Sequence, residues 1–390
     1  MEVGGHCWQD QGSENFIDAH AMNTTQRTEI LQRWRIVQEE LMPELRTEVG
    51  ALTPKLAKLV HILEWARIEE LVSTSGSGCG RPEHDRGMLA NAFVAKAVLG
   101  IATTAGLIER LSMDRALKRI CGFSMWRTLP SEATFSRAFA AFAEAGLAER
   151  THAALVKDTL GEQLIGHISR DGTAIEVREK PVKKDHTPPS KPAAAKKRGR
   201  PCKGEVREAQ PGKLERQQGQ SLVELLKALP RACDRGSKCN AQGYKNSWNG
   251  YKLHLDTADC GVPVSALLTS ASMHDSLAAI PLALMTADRV THCYDLMDAA
   301  YCSHVIREHS RSLGHVPLID HNPRQGEKIE FSPCEAQRYR ERSQAERTNA
   351  RLKDDYGGRF IRVRGHDKVM SHLMFGLLAL TTDQLMRLLT

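Results

Sequence analysis

Apolar residues fall at helical spacing through roughly the first 160 positions and shift to strand-like runs after them. From about Thr24 to Ser73, the segments LQRWRIVQEELMPEL and LAKLVHILEWARIEELV place apolar residues every three or four positions, which predicts amphipathic helices. A second helical stretch runs from Gly87 to about Gly161. Within it, MLANAFVAKAVLGIATTAGLI is as long as a membrane span. Asn91, Lys96, Thr103 and Thr104 interrupt it, however, so the segment predicts a helix buried in protein and no membrane partner. LPSEATFSRAFAAFAEAGL carries its own start signal: Ser131 as N-cap, with Thr134, Phe135 and Arg137 in the helix that follows.

The second half alternates strands and helices. In HISRDGTAIEV, Ile168, Ile175 and Val177 outline a strand that contains Asp171, although Asp-Gly is also a strong turn signal within a hairpin. SWNGYKLHLDTADCGVPVSALLTSASMHDS reads as an antiparallel hairpin, from Tyr251 to Asp256 and from Val262 to Thr269, turned at Asp259, Cys260 and Gly261. A helix from Ser276 to about Thr286 follows, with Asp275 or Ser276 as its N-cap. Val290 to Met297 is a short apolar run fit for a buried strand, closed by Asp298. The end of a central strand is a favoured site position. Asp298 is therefore the functional candidate here, and mid-strand Asp295 reads as a partnered structural carboxylate. A helix at about Ser303 to Ser312 and a strand at His315 to Asp320 complete an α/β mixed sheet with helices packed on it.

Near the end, Tyr339, Arg342, Glu346 and Lys353 are spaced by three, four and seven residues. At ~3.6 residues per turn they share one face of a helix that runs until Asp354 and the glycines Gly357 and Gly358. A carboxylate flanked by two cations and a phenol suits phosphate and metal together; a solvated helix with i, i+4 ion pairs is the plainer alternative.

Between Asp171 and the hairpin, about Lys180 to Gly219 is rich in Lys, Arg, Pro, Ala and Gln. A stretch so poor in aliphatic residues does not repay its ordering entropy, which predicts a flexible arm. Its KKRGRPCKGE segment places Arg198, Gly199, Arg200 and Pro201 among lysines and resembles the AT-hook core that enters the minor groove of A·T-rich DNA. A basic linker that touches phosphates without preference is the other reading.

The net charge of +7 over 390 residues favours nucleic acid as partner. No charged and apolar leader opens the chain, and ten scattered cysteines, of which Cys233 and Cys239 are the closest pair, argue for reduced thiols and against zinc.

The Tyr339, Arg342, Glu346 and Lys353 spacing resembles the catalytic-Glu signature of bacterial insertion-sequence transposases of the DDE type. Asp-Gly-Thr at Asp171, and Asp298 before Ala299, Ala300 and Tyr301, are similar to the positions of that family's two aspartates. Trp248 to His254 resembles its Trp-x-Gly-Tyr-Lys-x-His segment, and His274 and Asp275 also fit its pattern. The passage from about Arg81 to Phe142, with Cys121 and Gly122 and a Pro-Ser-x-x-Thr-Phe-Ser-Arg helix start, resembles the N-terminal domain of that group.

The resemblance implies a ribonuclease-H-like catalytic domain in which Asp171, Asp298 and Glu346 hold Mg²⁺, with Mn²⁺ as a substitute. It also implies that Arg342 and Lys353 hold phosphate and that Tyr339 bonds the DNA backbone. Trp248 would either stack on a base or anchor its strand by packing. The expected organisation is a helical extension over residues 1–80, a helix-turn-helix-like module over 81–160 and a catalytic domain over 161–390, interrupted by the basic arm at about 180–220. The module would bind terminal inverted repeats, or serve a structural or dimerising role. Expected partners are terminal-repeat and target DNA and a second copy of the chain, in a cytoplasmic, nucleoid-associated setting. A silent transposase-derived repressor and a metal-dependent nuclease on the same fold are the rival functions.

Overall fold

The computed structural model describes residues 28, 31–32, 34–73, 84–182, 211–239, 242–323 and 327–389. Arg198, Gly199, Arg200 and Pro201 lie outside the described residues. Helices α1 (Met42–Val49), α2 (Pro54–Ala66), α3 (Arg86–Val98), α4 (Thr104–Met113), α5 (Arg115–Ile120), α6 (Glu132–Glu144) and α7 (Leu147–Leu160) precede the sheet. Ser131 caps α6 as expected, its Oγ accepting from the Thr134 amide at 3.4 Å. The long apolar segment is not one helix. Gly100 turns left-handed at φ 64°, and Thr103 starts α4 by accepting from the Gly106 amide at 3.0 Å. Among the described residues, no helix is long and apolar enough to cross a membrane.

The chain then forms β1 (Leu164–Glu176), α8 (Leu222–Ala228), β2 (Asp234–Cys239), β3 (Lys245–Ala258), β4 (Pro263–Ser270), α9 (Ser276–Ala287), β5 (Thr291–Met297), α10 (His304–Ser312), β6 (Val316–Ile319), α11 (Pro333–Tyr339), α12 (Ser343–Asp355) and α13 (His366–Leu389). β1 lies at the centre of the mixed sheet. It runs antiparallel to β3, which pairs with β4 on its far side and with β2 along its first half. On its other edge β1 runs parallel to β5, and β5 runs parallel to β6. This is the ribonuclease-H-like arrangement that the resemblance implies. Asp171 pairs with Leu255 in mid-strand, so the Asp-Gly turn alternative does not form.

Two boundaries differ from expectation. The basic arm ends sooner, because Leu214 packs against the cluster of Ala279, Met297 and Tyr301 and Gln217 Nε2 donates to the Leu277 carbonyl at 3.0 Å. The helix of the polar stripe is also interrupted: a 3₁₀ turn at Arg340–Arg342 separates α11 from α12.

The helical part and the sheet share one core. α13 packs on α2, α3, α6, α7 and β4. Phe375 sets its ring against the Phe93 and Phe139 pair, at centroid separations of 5.8 and 6.2 Å. Asp383 of α13 takes Lys58 at 2.8 Å, the Tyr356 hydroxyl at 2.7 Å and Arg351 at 2.8 Å. Burial works to raise the Asp383 carboxyl, but the Lys58 and Tyr356 hydrogen bonds prevail and hold it below the usual range.

Close packing puts Gly376 to a direct test. A Cβ there would stand 2.6 Å from the Tyr356 carbonyl oxygen and 3.0 Å from Leu352 Cδ1. In an open helix, Gly→Ala stabilises by roughly 1 kcal/mol. Here Gly376→Ala is expected to destabilise by about 1–3 kcal/mol through overpacking. Urea unfolding measures the sign, and a more stable variant would contradict the packing of α13 on α12.

Candidate active site

Sheet alternation sends neighbouring residues of β1 to opposite faces. Arg170 points into the protein and Asp171 to the face that α12 covers. Below the sheet, Arg170 is 1% exposed. It donates through Nε and Nη2 to the two carboxylate oxygens of Asp256, both at 2.7 Å. Asp295 lies 3.7 Å from the same guanidinium.

Asp295 is itself buried and takes His292 Nε2 at 3.2 Å and Ser310 Oγ at 2.5 Å, with His315 Nδ1 at 3.4 Å. Burial would raise its carboxyl, but the histidines and Arg170 hold it well below the ordinary range. His292, Asp295 and His315 come together closely enough to hold a metal ion. Arg170 already supplies a positive charge there, so the group reads as a hydrogen-bonded support. Mid-strand Asp295 is thus a partnered carboxylate, as its position suggested.

On the opposite face, Asp171 Oδ2 accepts from Asn349 Nδ2 at 3.0 Å, and Arg342 Nη1 stands 4.0 Å from its Oδ1. Burial raises the Asp171 carboxyl to about 6; Arg342 opposes the rise, and the charge of Asp298 adds to it. Asp298 caps the turn Ala299–Tyr301, accepting from the Ala300 amide at 2.9 Å. Its carboxyl is also raised, first by burial and then by Asp275, against the Ala300 hydrogen bond. The parallel pairing of β1 with β5 brings the two aspartates together.

Glu346, in the first turn of α12, receives Arg342 Nη2 at 2.6 Å, with its side chain 58% exposed. Arg342 therefore links Asp171 and Glu346 from between them. Lys353 donates to Thr173 Oγ1 at 2.7 Å, which places it two residues along β1 from Asp171. The Tyr339 ring packs on Phe331 at 4.8 Å and lies 5.9 Å from the Arg342 guanidinium. Burial pushes the Tyr339 hydroxyl up to about 12. All four stripe residues reach one region even though the helix is broken. The 3₁₀ turn tightens the chain between Tyr339 and Glu346.

Trp248 stands apart from this group. Its Nε1 donates to the Tyr251 carbonyl at 3.0 Å, and a Cβ on Gly236 would meet the indole at 2.5 Å. The ring is a strand anchor packed across Gly236. The sequence reading missed Asn349, although it lies three residues beyond Glu346 and so on the same helical face. It also missed Lys238 of β2, whose charge acts on both Asp171 and Asp298. β2 itself, DRGSKC, has too few apolar residues to signal a strand.

Asp171, Asp298 and Glu346 all offer carboxylate oxygens, the ligand type that hard divalent cations take, with Arg342 standing between Asp171 and Glu346. Two of them are held above their normal range first by burial, which disfavours their charged form, and a bound cation would offset that penalty. The residues fit a divalent metal.

A family model described as a transposase DDE domain matches residues 165–382, more than half of the chain. A second, described as a transposase domain (DUF772), matches residues 44–141. That match takes in α1 and α2, which the resemblance read from sequence had left out. No curated protein and no solved structure matches the chain.

A buried acid raised to about 6 makes the folded protein bind a proton that the unfolded chain has released by about pH 4. Its contribution to stability is therefore greatest at low pH and falls as pH climbs from about 4 to 6. Asp171→Asn removes that loss. In metal-free buffer at pH 7.5 the variant is expected to be more stable by on the order of 2 kcal/mol, with a flatter stability profile between pH 4 and 6. Equal or lower stability by denaturant titration would contradict a desolvated Asp171.

Proposed function

The chain belongs to the transposase DDE-domain family, and from that premise we propose that Asp171, Asp298 and Glu346 are its catalytic carboxylates, acting on the DNA ends of an insertion sequence. Membership makes the chain a transposase, with DNA as substrate and divalent metal ions as the family's usual cofactor. One observation carries the assignment to residues. Asp171 in central β1 and Asp298 at the end of parallel β5 share a face with α12, and Arg342 reaches both Asp171 and Glu346.

The three carboxylates would hold Mg²⁺, with Mn²⁺ as a substitute. When bound, the ions supply Lewis-acid stabilisation of the attacking and leaving oxygens of an in-line displacement at phosphorus. The chain's own residues do the rest. Glu346 is held by one guanidinium at the surface and is free to turn toward Asp171 once Arg342 moves to a phosphate. Arg342 offers a planar fork that matches phosphate oxygens, and Lys353 adds a point charge beside β1. Tyr339 presents its hydroxyl, kept protonated by burial, as a donor to the DNA backbone.

Cleavage adds water to the phosphorus at the element's end and releases its 3′-hydroxyl. That hydroxyl then attacks a target phosphodiester and displaces the target's own 3′-oxygen. No bond between protein and DNA forms at either step. The helices of residues 81–160 would recognise the terminal repeats, and Arg198, Gly199, Arg200 and Pro201 would add minor-groove contact. A homodimer would hold the two ends together, and Trp248 would face DNA only through its exposed edge.

Labelled DNA carrying the terminal repeats tests the assignment. Wild type is expected to nick the repeat end in Mg²⁺ and not in chelator. Glu346→Gln is expected to retain binding and lose at least 100-fold in cleavage rate. Binding without cleavage in either Mg²⁺ or Mn²⁺ would favour a repressor. Cleavage without joining would favour a nuclease, and cleavage indifferent to Glu346→Gln would remove that residue from the set.

A further inference from the structure

One edge of β1 carries a second feature beyond the carboxylates. β5 pairs along that edge only as far as Arg170 and Met297, and Asp298 follows at its end. Further along the same edge Ile361 takes up the pairing, in a parallel bridge to Val177. The opposite edge at Val177 belongs to β3, where the Val177 amide donates to the Asn249 carbonyl at 3.1 Å. Val177 lies six residues beyond Asp171, a span of about 20 Å of strand. Arg342 at Asp171 and Lys353 on Thr173 already place cations along the way.

Residues 360–364 read Phe, Ile, Arg, Val, Arg, and their exposure alternates as in a strand with one buried side. Ile361 is 3% exposed and Val363 packs half-buried on the core. Phe360, by contrast, is 56% exposed, and Arg362 and Arg364 are exposed on the same side of the alternation. The segment is fixed at both ends. The Gly358 amide donates to the Leu352 carbonyl at 3.0 Å, and the Gly365 amide donates to Glu179 Oε2 at 2.8 Å. Arg359 is paired with Asp354, but among the described residues no carboxylate pairs with Arg362 or Arg364. Folding thus pins an aromatic ring and two unmatched guanidinium groups in water.

We propose that residues 360–364 form a binding track for an unpaired strand of the substrate DNA beside the carboxylates. Arg362 and Arg364 hold phosphates of that strand, and Phe360 stacks on one of its bases. The proposal rests on the assignment of Asp171, Asp298 and Glu346, and it deepens that assignment by naming the form of DNA the site receives. Alternate residues of an extended chain stand about 6.6 Å apart, close to the separation of successive phosphates on one strand. The guanidinium fork matches phosphate oxygens. An exposed ring offers its face to any base, whereas a duplex keeps its base faces in the stack, so Phe360 selects a strand that has parted from its complement.

Fluorescence anisotropy with the full-length protein in chelator provides the test. Two labelled probes are compared: the terminal-repeat duplex with a flush end, and the same duplex with a short unpaired tail at the cleaved end. Wild type is expected to bind the tailed probe more tightly. Phe360→Ala is expected to weaken tailed binding by about five- to a hundredfold, with flush binding and salt dependence unchanged, and Phe360→Trp to restore the preference. Arg362→Gln with Arg364→Gln is expected to flatten the slope of log affinity against log salt on the tailed probe by about 1.4, at about 0.7 for each single-strand phosphate. Lys213→Gln with Lys227→Gln removes the same charge from exposed positions elsewhere and is expected to leave the tail preference intact.

The ratio of the two affinities is what is read, because a variant that folds poorly loses both. An unchanged ratio in Phe360→Ala, or equal losses from the arginine and lysine double variants, would overturn the track. Either result would leave the carboxylates standing so long as Glu346→Gln still abolishes cleavage in Mg²⁺. Cleavage indifferent to Glu346→Gln would remove the premise, and the proposal with it.

Discussion

The buried guanidinium of Arg170 fixes the geometry on which the site depends. It forks onto both oxygens of Asp256 on β3 and lies beside Asp295 on β5, so one side chain ties the central strand to both of its neighbours. Thr286 of α9 adds a hydrogen bond to Asp256 at 2.7 Å, which brings the helix bearing Asp275 into the same network. Buried ion pairs of this kind add little net stability, yet breaking one leaves a charge stranded at a cost of about 3–5 kcal/mol. Their effect is on register. A slip of one residue in β1 would exchange Arg170 for Asp171 and place a cation where the candidate site holds an acid.

The two faces of β1 handle charge in opposite ways. Beneath the sheet Asp256 and Asp295 are both matched, and Asp295 is held well below its ordinary range by two histidines and Arg170. Above it, burial keeps Asp171 and Asp298 raised, and Arg342 and Lys238 offset them only partly. The acids of the lower face are thus held charged by their partners, while burial works against the charged form of those above. A site built to take up divalent cations requires this asymmetry, since acids already neutralised by the protein would have no need of a metal.

Sequence spacing made much of this visible, for reasons that particular residues explain. β1 was legible from Ile168, Ile175 and Val177, and β5 from an apolar run ending at Asp298. The Glu346 face was legible because helical period survives a single 3₁₀ turn. The start of α9 was misjudged, because an Asp just before a helix is ordinarily its cap, whereas Asp275 makes no capping hydrogen bond and the Ser276 amide donates to His274 Nδ1 instead. Arg170 was hidden for a similar reason: one arginine beside an aspartate carries no pattern, and its partners lie 86 and 125 positions away (Asp256 and Asp295). The split of the long apolar segment turned on Gly100, which carries no signal of its own in an apolar run, and on Thr103 as a cap, read from sequence as one interruption of a single helix.

The shared core bears on how such an enzyme would place its substrate. α13 contacts α2, α3, α6 and α7 as well as β4, and Asp383 binds Lys58 from the helical part and Arg351 from the helix that carries Glu346. A sequence division at about residue 160 suggests two bodies joined by a hinge, but packing of this extent resists relative movement. On the proposed function, helices that grip a terminal repeat and carboxylates that cut its end would then move as one unit. The position of the cut relative to the recognised bases would follow from the fold itself. Adjustment to different target DNA would fall to side chains held at the surface by single contacts, of which Glu346 on Arg342 is the clearest case.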